Sequence, residues 1–586
     1  MNTRFPATQA ALAALILGAL TAARPGDAGA AAPQDPAPAA ITASDRRDDA
    51  SLAAALRDLA ARHPSRIAVT AIGKTIGDRP IHLVTLARDL ANADRRPGIL
   101  VVAGMDGHRW SGTEAVLLAL EQLAAGDAPW LAEVTVYAVP RGNPDASAAF
   151  VRGPRRAYGG DDLRHDNDRD GRDDEDPPID LDGDGAITQL RVTGLSAPWP
   201  APTLAADPAE PRLLRAPDAA SGQMAAYTVW TEGIDHDGDG SLAEDWPGGF
   251  NPERNFPHRW PEFEDEAGRY PLMAPETIAL QRFVDTHRNV FAALAIGRHD
   301  TVVNVPDPRE KTPSGQPSML HERDLDAYVA VAKLWRDATG QKRAEGADTA
   351  GSFTAWMNVQ RGIPTFATTM WGRPDVPAPE GDKAAGTPAA DAPKPADPEA
   401  AAWLEYSDRV RGGTGFVPWK AVKHPQFANA EVGGWVPGFR ENPPVEELPA
   451  IAAKAATFLG KLADRRPRVA VRAPEATEIA PGVWRITSAI ENRGMLPSVL
   501  HGARADRGVP PHVVRISSAM DDIRSGQRLT LVRGIDPGAS IPAEWTVSVA
   551  RGVAVDVELM QGGVVLGGWR IVDGNAGPLP GTGATP

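Results

Sequence analysis

Residues 103–120 read AGMDGHRWSGTEAVLLAL, and they carry the side chains best placed to hold a divalent metal. The apolar run 98–103 enters a Gly-rich turn, and a helix is expected to open near Thr113 and Glu114. A metal at such a turn takes an imidazole and a carboxylate a few residues apart. Glu114 offers the carboxylate. His108 lies six residues upstream of it and Ser111 three. The stretch therefore reads as a metal site with a displaced histidine, or as the shell of one.

A second device recurs in the acidic stretches DNDRDGRDDED (166–176), DLDGDGAITQ (180–189) and DHDGDGSLAED (235–245). Each places Asp at its first, third and fifth positions and Gly at its sixth. The carboxylates are Asp166, Asp168 and Asp170 (with Asp173 beyond), then Asp180, Asp182 and Asp184, then Asp235, Asp237 and Asp239. Alternating Asp on a curled loop aims hard oxygen ligands at one centre, which suits calcium. The twelfth positions are Pro177, Arg191 and Trp246, so none of these is a standard EF-hand. Residues 161–184 hold 12 Asp/Glu against 3 Arg, a local charge of -9 out of -15 for the chain. Charge concentrated this way argues for bound cations and against nucleic acid as a partner.

These groups need elements to position them. At 586 residues the chain exceeds one domain. Residues 1–30 have a positive start, an eleven-residue apolar run too short to span a bilayer, and Ala28-Gly29-Ala30, the pattern of a secretory signal. Residues 31–45 read as an Ala/Pro linker. No later segment is apolar enough to span a membrane, so a periplasmic or extracellular location is expected. There are no cysteines, which excludes disulfides, thiol catalysis and Cys-ligated zinc. Over 46–462, helical stretches alternate with apolar strands (67–72, 81–87, 98–103, 134–139, 292–296), giving an α/β fold with a sheet flanked by helices. Residues 377–398 read as a mobile loop. From 466 to 573 the pattern becomes seven short strands, expected as an independently folding all-β sandwich, with a disordered tail at 574–586.

Four further stretches, taken with the first, resemble the zinc metallocarboxypeptidases of the carboxypeptidase A type. VPRGNPDA (139–146) is similar to that family's Asn-Pro-Asp-Gly turn. GGFNPERNFPHRW (248–260) is similar to its Asn-Arg-Asn-Phe element. AGSFTAWMNVQRGIPTFATTMW (350–371) is similar to its late Gly-Ser segment, and residues 275–306 fit the helix and strand before its late zinc histidine. The resemblance spans about 46–460 and implies a mixed, mostly parallel sheet, zinc, and action on peptide C-termini. It also implies roles at numbered positions. Aligned on Glu114, the family pair His-x-x-Glu puts Ser111 at the histidine. The late histidine falls on Gly297, with His299 two residues on. The general base falls on Thr369 and the substrate-closing Tyr near Gly346. Arg254, with Asn255, matches the clamp on a substrate's terminal carboxylate.

Two functional readings follow. In one, His108, Glu114 and His299 gather a shifted zinc, with Asp106 or Asp300 as base, and the chain is a metallocarboxypeptidase. In the other, it is a non-catalytic relative, stabilised by calcium, that binds peptide or cell-wall-peptide termini. A purely structural role, in which the acidic loops and the sandwich matter most, is the third option.

Overall fold

The computed structural model describes residues 41–45, 47–157, 159–164, 166, 171–246, 248–377, 394–506 and 508–580. The expected signal segment, Asp168 and Asp170, and most of the 377–398 loop lie outside the described residues.

One six-stranded sheet organises the α/β part. Strands β1 (Ile67–Lys74) and β2 (Pro80–Leu86) form an antiparallel pair at its edge. Next come β4 (Thr135–Val139), β3 (Gly98–Ala103), and the strands Val290–Ile296 and Thr365–Thr368. From β4 onward every pairing is parallel. Parallel strands are covered on both faces and read as continuous apolar runs. GILVVA of β3 and VFAALAI of Val290–Ile296 are buried at every position.

Side-chain alternation divides these strands between two cores. Ile99, Val101, Val136, Ala138 and Leu294 face helices α1 (Asp49–Arg62), α2 (Ser111–Ala125), Leu325–Thr339 and Leu448–Asp464. Leu100, Val102, Tyr137, Val139 and Ala293 face Pro275–Thr286 and Phe353–Trp356. Leu117 of α2 is wholly buried, worth about 1.5–3 kcal/mol for such a side chain. No helix among the described residues is long and apolar enough to cross a membrane.

A second, antiparallel sheet was not foreseen. Gln189–Val192, from the acidic region, pairs with Thr228–Thr231 on one side and on the other with Ala430–Trp435 from far along the chain, which in turn pairs with Phe416–Val422. The four-residue strands leave little periodic signal, and the pairing that joins the two halves of the sheet, Gln189–Val192 with Ala430–Trp435, is between segments far apart in the chain.

The C-terminal part holds two five-stranded antiparallel sheets around Val471, Ile486, Ile490, Val514, Trp545 and Val557. One expectation needs correction here. Asn575–Pro578, read as disordered tail, is a strand paired with Val564–Val572. The sandwich part also packs against the α/β part. Leu496 and Leu500 are buried in the α/β core, Leu500 N donates to Gly362 O at 2.9 Å, and His501 Nδ1 lies 2.8 Å from Asp324 Oδ1.

Candidate functional site

The parallel register sets Ala103 of β3 opposite Ile296, so the turns after these two strands emerge side by side at the carboxyl edge of the sheet. That edge is where α/β sheets carry their chemistry. The turn 104–110 is tightly seated. A Cβ on Gly104 would lie 2.6 Å from Thr113 Oγ1, and one on Gly107 would lie 2.1 Å from Ala146 O. Helix α2 has no local side-chain cap. Asn442 supplies one from 331 residues away, accepting from Ser111 N at 3.0 Å and donating to His108 O at 2.8 Å.

The expected zinc set does not converge. Glu114 is buried with both oxygens engaged. Arg47 donates through Nε at 2.6 Å and Nη2 at 2.9 Å, and Ser44 N donates at 3.0 Å. Its carboxylate ties Ser44 and Arg47 to the start of α2. His299 Nε2 sits 3.1 Å from Glu253 Oε2, and its Nδ1 lies 3.3 Å from Ala347 O. Among the described residues, His108, Glu114 and His299 form no group with ligand atoms within 4.8 Å of one another.

The turn's buried chemical centre is Asp106. Its Oδ1 accepts from Asn251 Nδ2 at 3.3 Å and lies 3.8 Å from Arg298 Nη1; its Oδ2 lies 4.0 Å from Arg109 Nε. Burial pushes this carboxyl up, but Arg298, His108, Arg109 and His299 outweigh it and hold it below the ordinary carboxylate range. Gly297 leaves the space beside it open, since a Cβ there would lie 3.9 Å from Asp106 Oδ2. The cavity bounded by Met105, Glu253, Gly297, Arg298 and His299 is about 10 Å³, room for a single water. Sequence reading considered Asp106 only as a base and passed over Arg109. The available signal was their spacing: two residues separate them, as in His-x-x-Glu, directly after β3.

The other expected positions serve the fold. Asn255 is fully buried and donates to Ala267 O and Tyr270 O while accepting from Met273 N and Ala274 N, which leaves nothing for a ligand. Arg254 pairs with Glu264 and, at 3.1 Å, with Asp348. Thr369 donates to Trp371 O at 2.8 Å. Asp300 accepts from Asn304 N at 2.6 Å and from Val303 N, organising its own turn. A Cβ on Gly346 would lie 3.6 Å from Asp300 N. A cleft of about 380 Å³ opens beside the cluster, lined by Arg156, Thr188, Trp246, Glu266, Trp435 and Arg440. Glu266 joins it to the cluster, lying 3.7 Å from Arg298 Nη1.

The sequence pattern of the zinc carboxypeptidase family matches residues 52–155, from α1 through the 104–110 turn to the helix Pro144–Arg152. This part of the chain is zinc-carboxypeptidase-like. Residues 468–566 match a domain of unknown function, DUF8731. No curated protein matches the chain significantly. Among solved structures, the carboxypeptidase A of Helicoverpa armigera is 13% identical over 55% of this chain and 64% of its own, with a TM-score of 0.33. A metallo-carboxypeptidase of Burkholderia cenocepacia is 15% identical over 55% and 60%, TM-score 0.29. Bovine thrombin-activatable fibrinolysis inhibitor, in complex with tick carboxypeptidase inhibitor, is 10% identical over 71% and 96%, TM-score 0.34. The chain thus spans just under two thirds of the insect and Burkholderia enzymes.

The zinc that this family implies can be tested against the residues present. A catalytic zinc takes two nitrogens, a carboxylate and water at about 2.0–2.2 Å. Around Asp106 stand one carboxylate and two guanidinium groups at 3.8 and 4.0 Å, with the nearby His299 Nε2 facing Glu253. Guanidinium stays charged at any working pH and repels a dication. This donor set does not fit zinc.

Proposed function

We propose that the chain is an exported zinc-carboxypeptidase-like protein that binds peptide C-termini without hydrolysing them through zinc. In this reading Asp106 and Arg109 occupy the positions of the family's His-x-x-Glu pair, and Gly297 that of its late histidine. The observation that carries it is the Asp106–Arg298–Arg109 cluster, a carboxylate with two guanidinium groups where the family places a metal. The 380 Å³ cleft has the size of a ligand site, and aromatic and guanidinium groups on its wall suit a peptide and its carboxylate. Arg440 stacks over Trp435, its guanidinium carbon 5.0 Å from the ring centroid, and so presents a planar donor there. Arg254 is given no part in this reading: its Nη2 pairs with Glu264 and its Nη1 with Asp348.

The test is fluorescence anisotropy with labelled peptides carrying free or amidated C-termini. Binding that needs the free carboxylate, weakens at least tenfold in Arg440→Ala, and leaves the peptide intact supports the proposal. Equal binding of free and amidated peptides, or release of C-terminal residues, overturns it.

A further inference from the structure

The acidic region that follows the zinc-carboxypeptidase-like segment contains three groups of carboxylates whose oxygens lie within 4.8 Å of one another. They are not equivalent. In Asp180–Asp182–Glu232, Lys420 Nζ sits 2.7 Å from Asp182 Oδ2, and Glu232 accepts from Leu181 N and Thr188 N. A lysine and two amides already balance much of that group, and Asp184 lies outside it. Asp166 accepts from Gly171 N, and Asp173 belongs to none of the three groups.

The other two groups, Asp176–Asp237–Glu244 and Asp235–Asp237–Asp239, share Asp237 and so bring five carboxylates together. The Asp176 side chain is 0% exposed, and its Oδ2 has no hydrogen-bond partner. Both Glu244 oxygens are enclosed and equally without a donor. Buried carboxylate oxygens left this way are strongly disfavoured unless a cation or proton reaches them. Among the described residues, the basic side chain within ion-pair distance of these five is His236, whose Nδ1 lies 3.1 Å from Asp176 Oδ1, not from the unpartnered Oδ2. The loop itself is held by Asp237 accepting from Asp239 N and Asp239 from Ser241 N.

We propose that Asp176, Asp235, Asp237, Asp239 and Glu244 form a calcium site that ties the 171–178 segment to the 233–246 loop. An all-oxygen set drawn from two segments suits a large, hard cation that accepts irregular coordination, and it offers neither the nitrogen nor the sulfur that zinc favours. Sequence spacing pointed to Asp235, Asp237 and Asp239. The fold adds Asp176 and Glu244, in place of the acidic twelfth residue that Trp246 cannot supply. Ala243 and Trp246, on either side of Glu244, line the 380 Å³ cleft, so the ion would also set that wall.

The experiment uses the full chain stripped with a chelator and then titrated with calcium by calorimetry and thermal melting. Expected are at least one equivalent bound at micromolar to millimolar calcium and a melting temperature raised by several degrees. The Asp176→Asn/Glu244→Gln double variant should lose one equivalent, yet melt no lower than the stripped parent, because repulsion is relieved. No heat and no melting shift in the parent would overturn the proposal, as would a double variant that binds like the parent. Ligand binding in the cleft is not part of the readout, so failure here and failure of the peptide reading are distinguishable.

Discussion

Asp106 explains why the residue types looked right for a metal and the geometry did not. Two charged side chains at His-x-x-Glu spacing stand at the expected turn, but one is a carboxylate and the other a guanidinium. Removing one member of a buried ion cluster leaves the others uncompensated, at a cost of about 3–5 kcal/mol. Asp106→Ala should therefore lower the unfolding free energy by about that amount, since Arg298 and Arg109 keep their charge. Asp106→Asn, which can still accept from Asn251, should lose less. Denaturant unfolding checks both, and an Asp106→Ala loss below about 1 kcal/mol would show that the cluster does not hold the turn. Glu114 was misleading for a physical reason. A carboxylate in the first turn of a helix suits metal ligation and dipole stabilisation alike, and the deciding partner, Arg47, lies 67 residues away.

At the scale of elements, legibility followed the range of the interactions. The central strands are apolar throughout because both faces are covered, and that pattern is local and readable. The cap on α2 is not, since Asn442 comes from a loop with no sequence link to Ser111. The sandwich strands were legible as alternating runs, and one of them carries a pH dependence. His512 opens the strand His512–Ile516, and neither ring nitrogen has a hydrogen-bond partner. Burial pushes the imidazole from its ordinary 6.5 down to about 4. The folded state thus keeps it neutral while the unfolded chain protonates near 6.5. Its contribution is intact above that pH and is lost as pH falls toward 4, amounting to about 3 kcal/mol. His512→Phe should flatten the fall in melting temperature between pH 7 and 4.5. An unchanged acid limb would remove His512 as its cause.

For the whole molecule, the fold class was readable because the alternation of strands and helices is spread over 400 residues, whereas the fate of the active-site positions was not. Whether a turn holds zinc depends on which side chains two separate strand ends bring together, and that register, Ala103 against Ile296, exists only in three dimensions. The seating of Leu496 and Leu500 in the α/β core is likewise a tertiary fact that strand patterning does not reveal. The central claim is that a zinc-carboxypeptidase-like fold here surrounds a carboxylate–guanidinium cluster in place of a metal. Elemental analysis of the purified chain, after saturation with zinc and removal of loosely held ions, tests it most directly. The account predicts zinc far below one equivalent, with no chelator-sensitive release of C-terminal residues from peptides. One tightly held zinc per chain, lost on Asp106→Ala and accompanied by such release, would contradict it.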